Sequence, residues 1–207
     1  MHHRYSDLIS IFDALFAVTE STVLRAGDNE PIYKPAASEQ HRAEIIFAHG
    51  YFSSALHEIA HWCIAGSYRR TLVDYGYWYE PDGRSAEKQS EFARVEIKPQ
   101  ALEWVFSVAS GCIFNFSADN LALGGSVVDE SWRRFQQDVM AAARRYAAMG
   151  LPPRAEILAS TLAEFYGTGN KWRDPTNYQL DDHWSYPHET DHRTNEIIRP
   201  LSSRSAQ

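Results

Sequence analysis

The chain has 207 residues, 44% hydrophobic and 13% aromatic, which supplies enough apolar material for one packed domain and excludes wholesale disorder. A formal net charge of −7 argues against a protein that binds nucleic acid or an anionic membrane surface. The two cysteines cannot form a disulfide framework, and neither a secretory leader nor a membrane span is recognisable. We therefore expect a cytoplasmic protein without membrane or nucleic-acid partners.

The first third of the chain contains helix and strand signals in turn. Apolar residues at helical spacing predict a helix of about four turns that begins near Ser6. Short apolar runs around Ile32 and Ile45 predict two strands. A second helix is expected from Ser53 to the neighbourhood of Gly66.

The middle of the chain predicts one more strand and several helices. Residues 71–79 are rich in β-branched and aromatic side chains, which favours a strand. Residues 87–110 are helical in composition, and Pro99 either kinks one helix or begins a second one. Two further helices are predicted over 130–149 and 153–166.

These elements predict a single α/β (α+β) domain over residues 1–168. We expect a small mixed sheet, built from the segments near Ile32, Ile45 and Thr71, covered by helices. The helix that begins at Ser53 is apolar nearly all round and is predicted to lie buried at the centre. Residues 169–207 contain few aliphatic side chains and are predicted to form a polar, largely disordered tail.

Two strings match the metal-binding pattern H-E-x-x-H, which has meaning only on a helix, where positions i and i+4 share a face. The string from His57 to His61, with Glu58 inside it, lies on the predicted central helix among apolar neighbours that would hold a metal site rigid. The string from His188 to His192 has no apolar stripe and lies in the predicted tail. We interpret the first string as a metal site and the second as a chance match.

Two histidines leave a divalent metal under-coordinated, so a carboxylate ligand is expected. Glu96 is favoured, because it lies in an otherwise apolar stretch where an unpaired carboxylate would be costly. Glu91 and Glu103 are alternatives, although their surroundings indicate a helix surface. A salt bridge from Glu96 to Arg94 or Lys98 would explain the same residue without a metal.

A set of two histidines and one carboxylate supports more than one chemistry. With zinc, and with Glu58 as general base, the set would hydrolyse amides. With Fe(II), it would form the facial triad that binds O₂ for hydroxylation. The metal could also serve only to join two elements of a non-catalytic binding module. His49, at the end of a predicted strand, could contribute an acid–base group to the site, although a hydrogen-bonded histidine without such a role is the simpler interpretation.

Several segments resemble the bacterial elongation factor P hydroxylase family. FAHGYFSSALHEIAHWCIAG at 47–66 is the most specific, and LVDYGYWYEPDGR at 72–84 and VEIKPQAL at 95–102 support it. Residues 30–33 and 119–121 are also similar. The resemblance covers about residues 5–166 and does not extend to the predicted tail.

The resemblance implies hydroxylation, at a non-haem Fe(II) site, of the lysine on elongation factor P that already bears a β-lysyl group. Elongation factor P is therefore the expected protein partner. Carried over to this chain, the family's metal ligands would be His57, His61 and Glu96. Glu58 points about 100° away from His57 around the helix and is expected to handle protons instead.

Substrate contacts are expected in the aromatic and acidic segment that follows the metal motif. Asp74 and Asp82 could meet a cationic lysyl arm, and Tyr77 could line the approach to the metal. Solvated loop carboxylates and a core aromatic residue are the simpler interpretations of these three side chains.

Overall fold

A computed structural model describes residues 2–27, 30–76, 86–117 and 126–180, without the side chains of 86–92 and 126–129. The helices in this part of the chain are Tyr5–Phe16 (α1), Phe52–Ile64 (α2), Ala86–Ser110 (α3), Ser126–Met149 (α4) and Pro153–Tyr166 (α5). The strands are Thr22–Ala26 (β1), Ile32–Lys34 (β2) and Ala43–Phe47 (β3). The predicted α/β class with a small mixed sheet is confirmed.

The sheet is mixed because its central strand has one parallel and one antiparallel neighbour. Strand β3 lies between β1, which is parallel to it, and β2, which is antiparallel. Alternate residues of β3 are buried, as expected for a strand with one face on the core. None of the described helices is both long enough and apolar enough to cross a membrane.

Helix α2 lies at the centre of the domain, as predicted. It contacts β3, α1, α3 and α5, and all of its side chains except that of Ser53 are buried or half-buried. Trp62 is fully buried, with its ring centroid 5.1 Å from that of Phe12 and 5.0 Å from that of Phe16 on α1. Helix α3, which packs along α2, continues through Pro99 as one helix, so that no second helix begins there.

The strand predicted over 71–79 is wrong for the residues that the structure describes. Residues Arg69–Thr71 and Val73–Gly76 form 3₁₀ turns, and 77–79 lie outside the described residues. Asp74 and Tyr75 both have positive φ, 47° and 58°, which is incompatible with a strand. The Tyr75 ring is instead buried by stacking on the Tyr33 ring at 4.4 Å. The third strand of the sheet is β1, which the sequence patterns did not indicate.

The first part of the predicted tail is packed against the domain. Trp172 and Tyr178 are fully buried, and the Tyr178 hydroxyl donates to the backbone carbonyl of Trp172. Arg144 on α4 donates to the carbonyl of Tyr178 at 2.8 Å. The tail was predicted from its shortage of aliphatic residues, but large aromatic rings anchor this segment. Residues 181–207 of the predicted tail lie outside the described residues.

Candidate metal centre

Three predicted ligands lie together between α2 and α3. His57 and His61 are one helical turn apart on α2, and Glu96 projects from α3. One ligand atom from each residue falls within a group whose members all lie within 4.8 Å of one another. It is the only such group in the described part of the chain.

The separations between these atoms suit a single metal ion. The Nε2 atoms of His57 and His61 are 3.0 Å apart, and each lies 3.4 Å from a carboxylate oxygen of Glu96. Ligand atoms about 2.1 Å from one ion lie about 3.0 Å apart at right angles and about 3.4 Å apart in a tetrahedron. The donor set therefore fits a divalent transition metal.

The carboxylate of Glu96 is paired with the two histidines and not with Arg94 or Lys98. Glu96 is 8% exposed, so that its carboxylate is largely removed from water. Burial tends to raise the pKa of Glu96, but the charges and hydrogen bonds of His61 and His57 outweigh it and hold that pKa far below its usual value. The carboxylate is therefore ionised and available as a ligand.

Glu103 forms a hydrogen bond with Nδ1 of His57, the ring nitrogen that does not face the other two ligands. Its Oε2 atom accepts a hydrogen bond from His57 Nδ1 at 2.9 Å. With the proton on Nδ1, the Nε2 lone pair is directed toward His61 and Glu96. Glu103 is only 5% exposed, so its expected place on the helix surface is wrong.

The two carboxylates also determine the protonation of His57 in the metal-free protein. Burial alone would lower the pKa of His57, but the hydrogen bonds to Glu103 and Glu96 outweigh it and raise that pKa well above its ordinary value. A metal ion that binds His57 must therefore displace a proton, and its affinity falls as the pH falls.

The buried polar residues of α3 follow a regular spacing that the sequence already contains. Glu96, Gln100, Glu103 and Ser107 are all buried, at intervals of four, three and four residues. This spacing keeps them on one helix face. The pattern could have indicated that Glu103 shares the face of Glu96, because the residues beside Glu103 are apolar.

Glu58 lies beside the cluster without being part of it. Its side chain is half-buried, and burial raises the pKa of Glu58, while the charges of His57 and His61 partly offset that effect. A buried carboxyl group with a raised pKa beside a candidate metal site is a candidate for proton transfer.

The other predicted site residues are distributed differently. His49 is exposed, has φ of 56° and contacts the ring of Tyr51, and it is not a member of the ligand group. Asp74 is half-buried, and its Oδ1 atom accepts the backbone N–H of Tyr33 at 2.8 Å. Four further residues of the sequence predictions lie outside the described residues: Tyr77, Asp82, His188 and His192.

Comparison with known proteins yields one family and a curated relative. The model of a family described as elongation factor P hydroxylase matches residues 11–175. The elongation factor P lysine hydroxylase of Haemophilus influenzae is 50% identical over 168 residues, which cover 81% of this chain and 92% of that protein. Both the metal motif and the buried segment around Trp172 fall within the matched family region.

Proposed function

The chain belongs to the elongation factor P hydroxylase family, and on that premise we propose that it hydroxylates the lysyl-modified lysine of elongation factor P with O₂. The observation that carries the proposal is the group formed by His57, His61 and Glu96 between two packed helices. The family supplies the substrate class, and the group supplies a site where oxygen chemistry can occur. The cytoplasmic location expected from the sequence stays a prediction.

We propose Fe(II) as the metal and these three side chains as its ligands. Two neutral imidazoles and one carboxylate form the donor set typical of non-haem iron oxygenases. Bound iron would supply the activation of O₂; one oxygen atom would enter a C–H bond, and two electrons from an external reductant would convert the other atom to water.

The remaining polar residues have distinct roles in this proposal. Glu103 keeps the proton of His57 on Nδ1, so that Nε2 is available to the metal. Glu58, next to His57 on α2, is the proposed group for proton transfer, and burial raises the pKa of its carboxyl group. His49 is retained as a candidate acid–base group.

The proposed substrate contacts are Asp74, Tyr77 and Asp82. Asp74 is positioned by its hydrogen bond to the backbone of Tyr33, and its negative charge suits a cationic lysyl arm. Asp74→Asn or Asp82→Asn should weaken hydroxylation, since either change removes one charge from the proposed contact.

The test is the mass of lysyl-modified elongation factor P after incubation with the purified, iron-loaded protein and a reductant such as ascorbate. We expect a gain of one oxygen atom in air and no gain without O₂, and the added oxygen should carry the label when the gas is ¹⁸O₂. Cleavage of peptide bonds that persists without O₂ and is lost in Glu58→Gln would instead indicate a zinc metallopeptidase, the alternative chemistry of this motif.

A further inference from the structure

A cavity of about 540 Å³ opens beside the metal ligands. His61 and Tyr75 line its inner part, and the rest of the lining comes from the end of α2, the turn after it and the middle of α3. The volume falls within the range of sites that hold part of a ligand. Because His61 belongs to the lining, the cavity borders one of the three proposed metal ligands.

Among the residues that the structure describes, the charged side chains at the opening of the cavity are positive. Arg94 and Lys98 are exposed, lie four residues apart on α3 and therefore share one helix face. Arg69, also exposed, comes from the turn after α2. Among the described residues that line the cavity, no side chain is acidic, although the chain as a whole has a net charge of −7.

The two cations of α3 have no acidic partner in the described part of the chain. The nearby carboxylate of Glu96 is directed to His57 and His61. Two like charges at positions i and i+4 slightly destabilise a helix. A partner that carries negative charge would relieve this repulsion.

Apolar side chains accompany these charges at the surface. Tyr68 is 75% exposed and Val95 is 38% exposed, and both line the same cavity. An exposed tyrosine beside arginine side chains is typical of the residues that dominate protein interfaces.

We propose that this surface, formed by Tyr68, Arg69, Arg94, Val95 and Lys98, docks an acidic face of the protein substrate next to the modified lysine. The inference rests on the proposed function and adds where the substrate binds and which charge its docking face carries. The lysyl arm would then extend into the cavity toward His61, while acidic neighbours of that lysine meet the cations outside.

The surface fits a protein face better than a small anion. Arg94 and Lys98 are exposed at the rim and are not enclosed around one point, and an exposed tyrosine lies beside them. Charges at a solvated rim mainly govern the rate and the salt dependence of association between proteins.

The experiment measures direct binding of lysyl-modified elongation factor P to the full chain, apart from turnover. The double variant Arg94→Glu, Lys98→Glu should raise Kd about tenfold at low salt. Its metal content should stay that of the wild type. The matched control is Arg133→Glu, Arg134→Glu, which changes the net charge equally on exposed residues of α4 outside the cavity lining and should leave Kd unchanged.

A salt series sharpens the result. Wild-type affinity should fall as the salt concentration rises through about 0.1 M, whereas the affinity of the double variant should change little.

An unchanged Kd in the double variant would overturn the proposal, and so would an equal loss of affinity in the control. Lost turnover with unchanged Kd would also overturn it and would assign the cavity to a small anionic reactant. If the wild type binds lysyl-modified elongation factor P, the double variant binds it more weakly and no oxygen is added by the wild type, the proposed function fails and the docking surface stands.

Discussion

The two sides of α2 are held by different interactions. On one side, His57 and His61 face the carboxylates of α3, at hydrogen-bonding and ion-pair distances. On the other side, Trp62 lies fully buried among the aromatic rings of α1. One helix therefore carries a polar site and a core face. Packing of the core face can fix the position of the helix, while the polar side chains remain available to bind a metal.

The C-terminal end of α2 is held from the core side. The helix ends at Ile64 without a left-handed glycine, since Ala65 is extended. Arg154 of α5 compensates, because its Nη2 atom donates to the carbonyls of Trp62, Cys63 and Ala65 at 2.9, 3.2 and 2.7 Å. Its guanidinium also lies over the Trp62 ring, 4.5 Å from the centroid. We call the face of α2 that bears His57 and His61 the ligand side and the face that bears Trp62 the core side. The comparison predicts that changes on the ligand side remove activity and that changes on the core side remove stability.

The largest effect is expected on the ligand side. Each of His57→Ala, His61→Ala and Glu96→Ala should lower hydroxylation by more than about a hundredfold, because two remaining ligands hold a metal poorly. Metal analysis and the mass of elongation factor P measure the effect, and the variants should still unfold cooperatively. His41→Ala, which changes an exposed histidine outside the ligand group, is the control. Full activity in Glu96→Ala would remove it from the ligand set.

On the core side, Trp62→Ala should lower the free energy of unfolding by about 3–5 kcal/mol, because it leaves a cavity among the rings of Phe12 and Phe16. Urea unfolding of the metal-free protein measures this change. A change smaller than that of an exposed-site variant such as Phe165→Ala would contradict the assignment of this side as the anchor of α2.

Arg154→Met should destabilise the protein by about 2 kcal/mol, because it leaves three carbonyls at the end of α2 without their charged donor. The measurement is thermal unfolding, with Arg134→Met on the exposed face of α4 as the control. Metal affinity should change little if the core side and the ligand side are independent. A parallel loss of metal affinity would instead show that the end of α2 positions His61.

The smallest effect is expected at Glu103, which touches a ligand without being one. Glu103→Gln keeps an acceptor for His57 Nδ1 but loses the charge, and it should weaken metal binding about tenfold. Glu103→Ala should weaken it further. Metal titration of the metal-free protein measures both changes, with Glu164→Gln on the surface as the control. Equal affinities in the wild type and Glu103→Ala would show that Glu103 has no positioning role.

Local patterns were sufficient for the parts of the site that depend on one helix. The spacing of His57 and His61 and the apolar neighbours of α2 predicted a buried helix with two ligands on one face. Glu96 could be selected because a carboxylate in an apolar stretch needs a partner. The environment of Glu103 was missed, because its burial depends on how α3 packs against α2.

The failures elsewhere arise from long-range packing. Composition favoured a strand near Asp74, but the turn there depends on a hydrogen bond to Tyr33, forty-one residues away. Trp172 and Tyr178 are buried against the domain although the residues around them are polar. Sequence patterns near these positions do not reveal the distant surfaces that receive their side chains.

The central claim is that one iron ion, held by His57, His61 and Glu96, supports the hydroxylation of elongation factor P. The most direct measurement removes all metal and reloads the protein without oxygen with either Fe(II) or Zn(II). It then records the mass of lysyl-modified elongation factor P after admission of O₂ in the presence of a reductant such as ascorbate. We predict one added oxygen atom with Fe(II), none with Zn(II), and none with Fe(II) and Glu96→Ala. Oxygen addition by the zinc-loaded protein, or undiminished addition by the iron-loaded Glu96→Ala variant, would contradict the account.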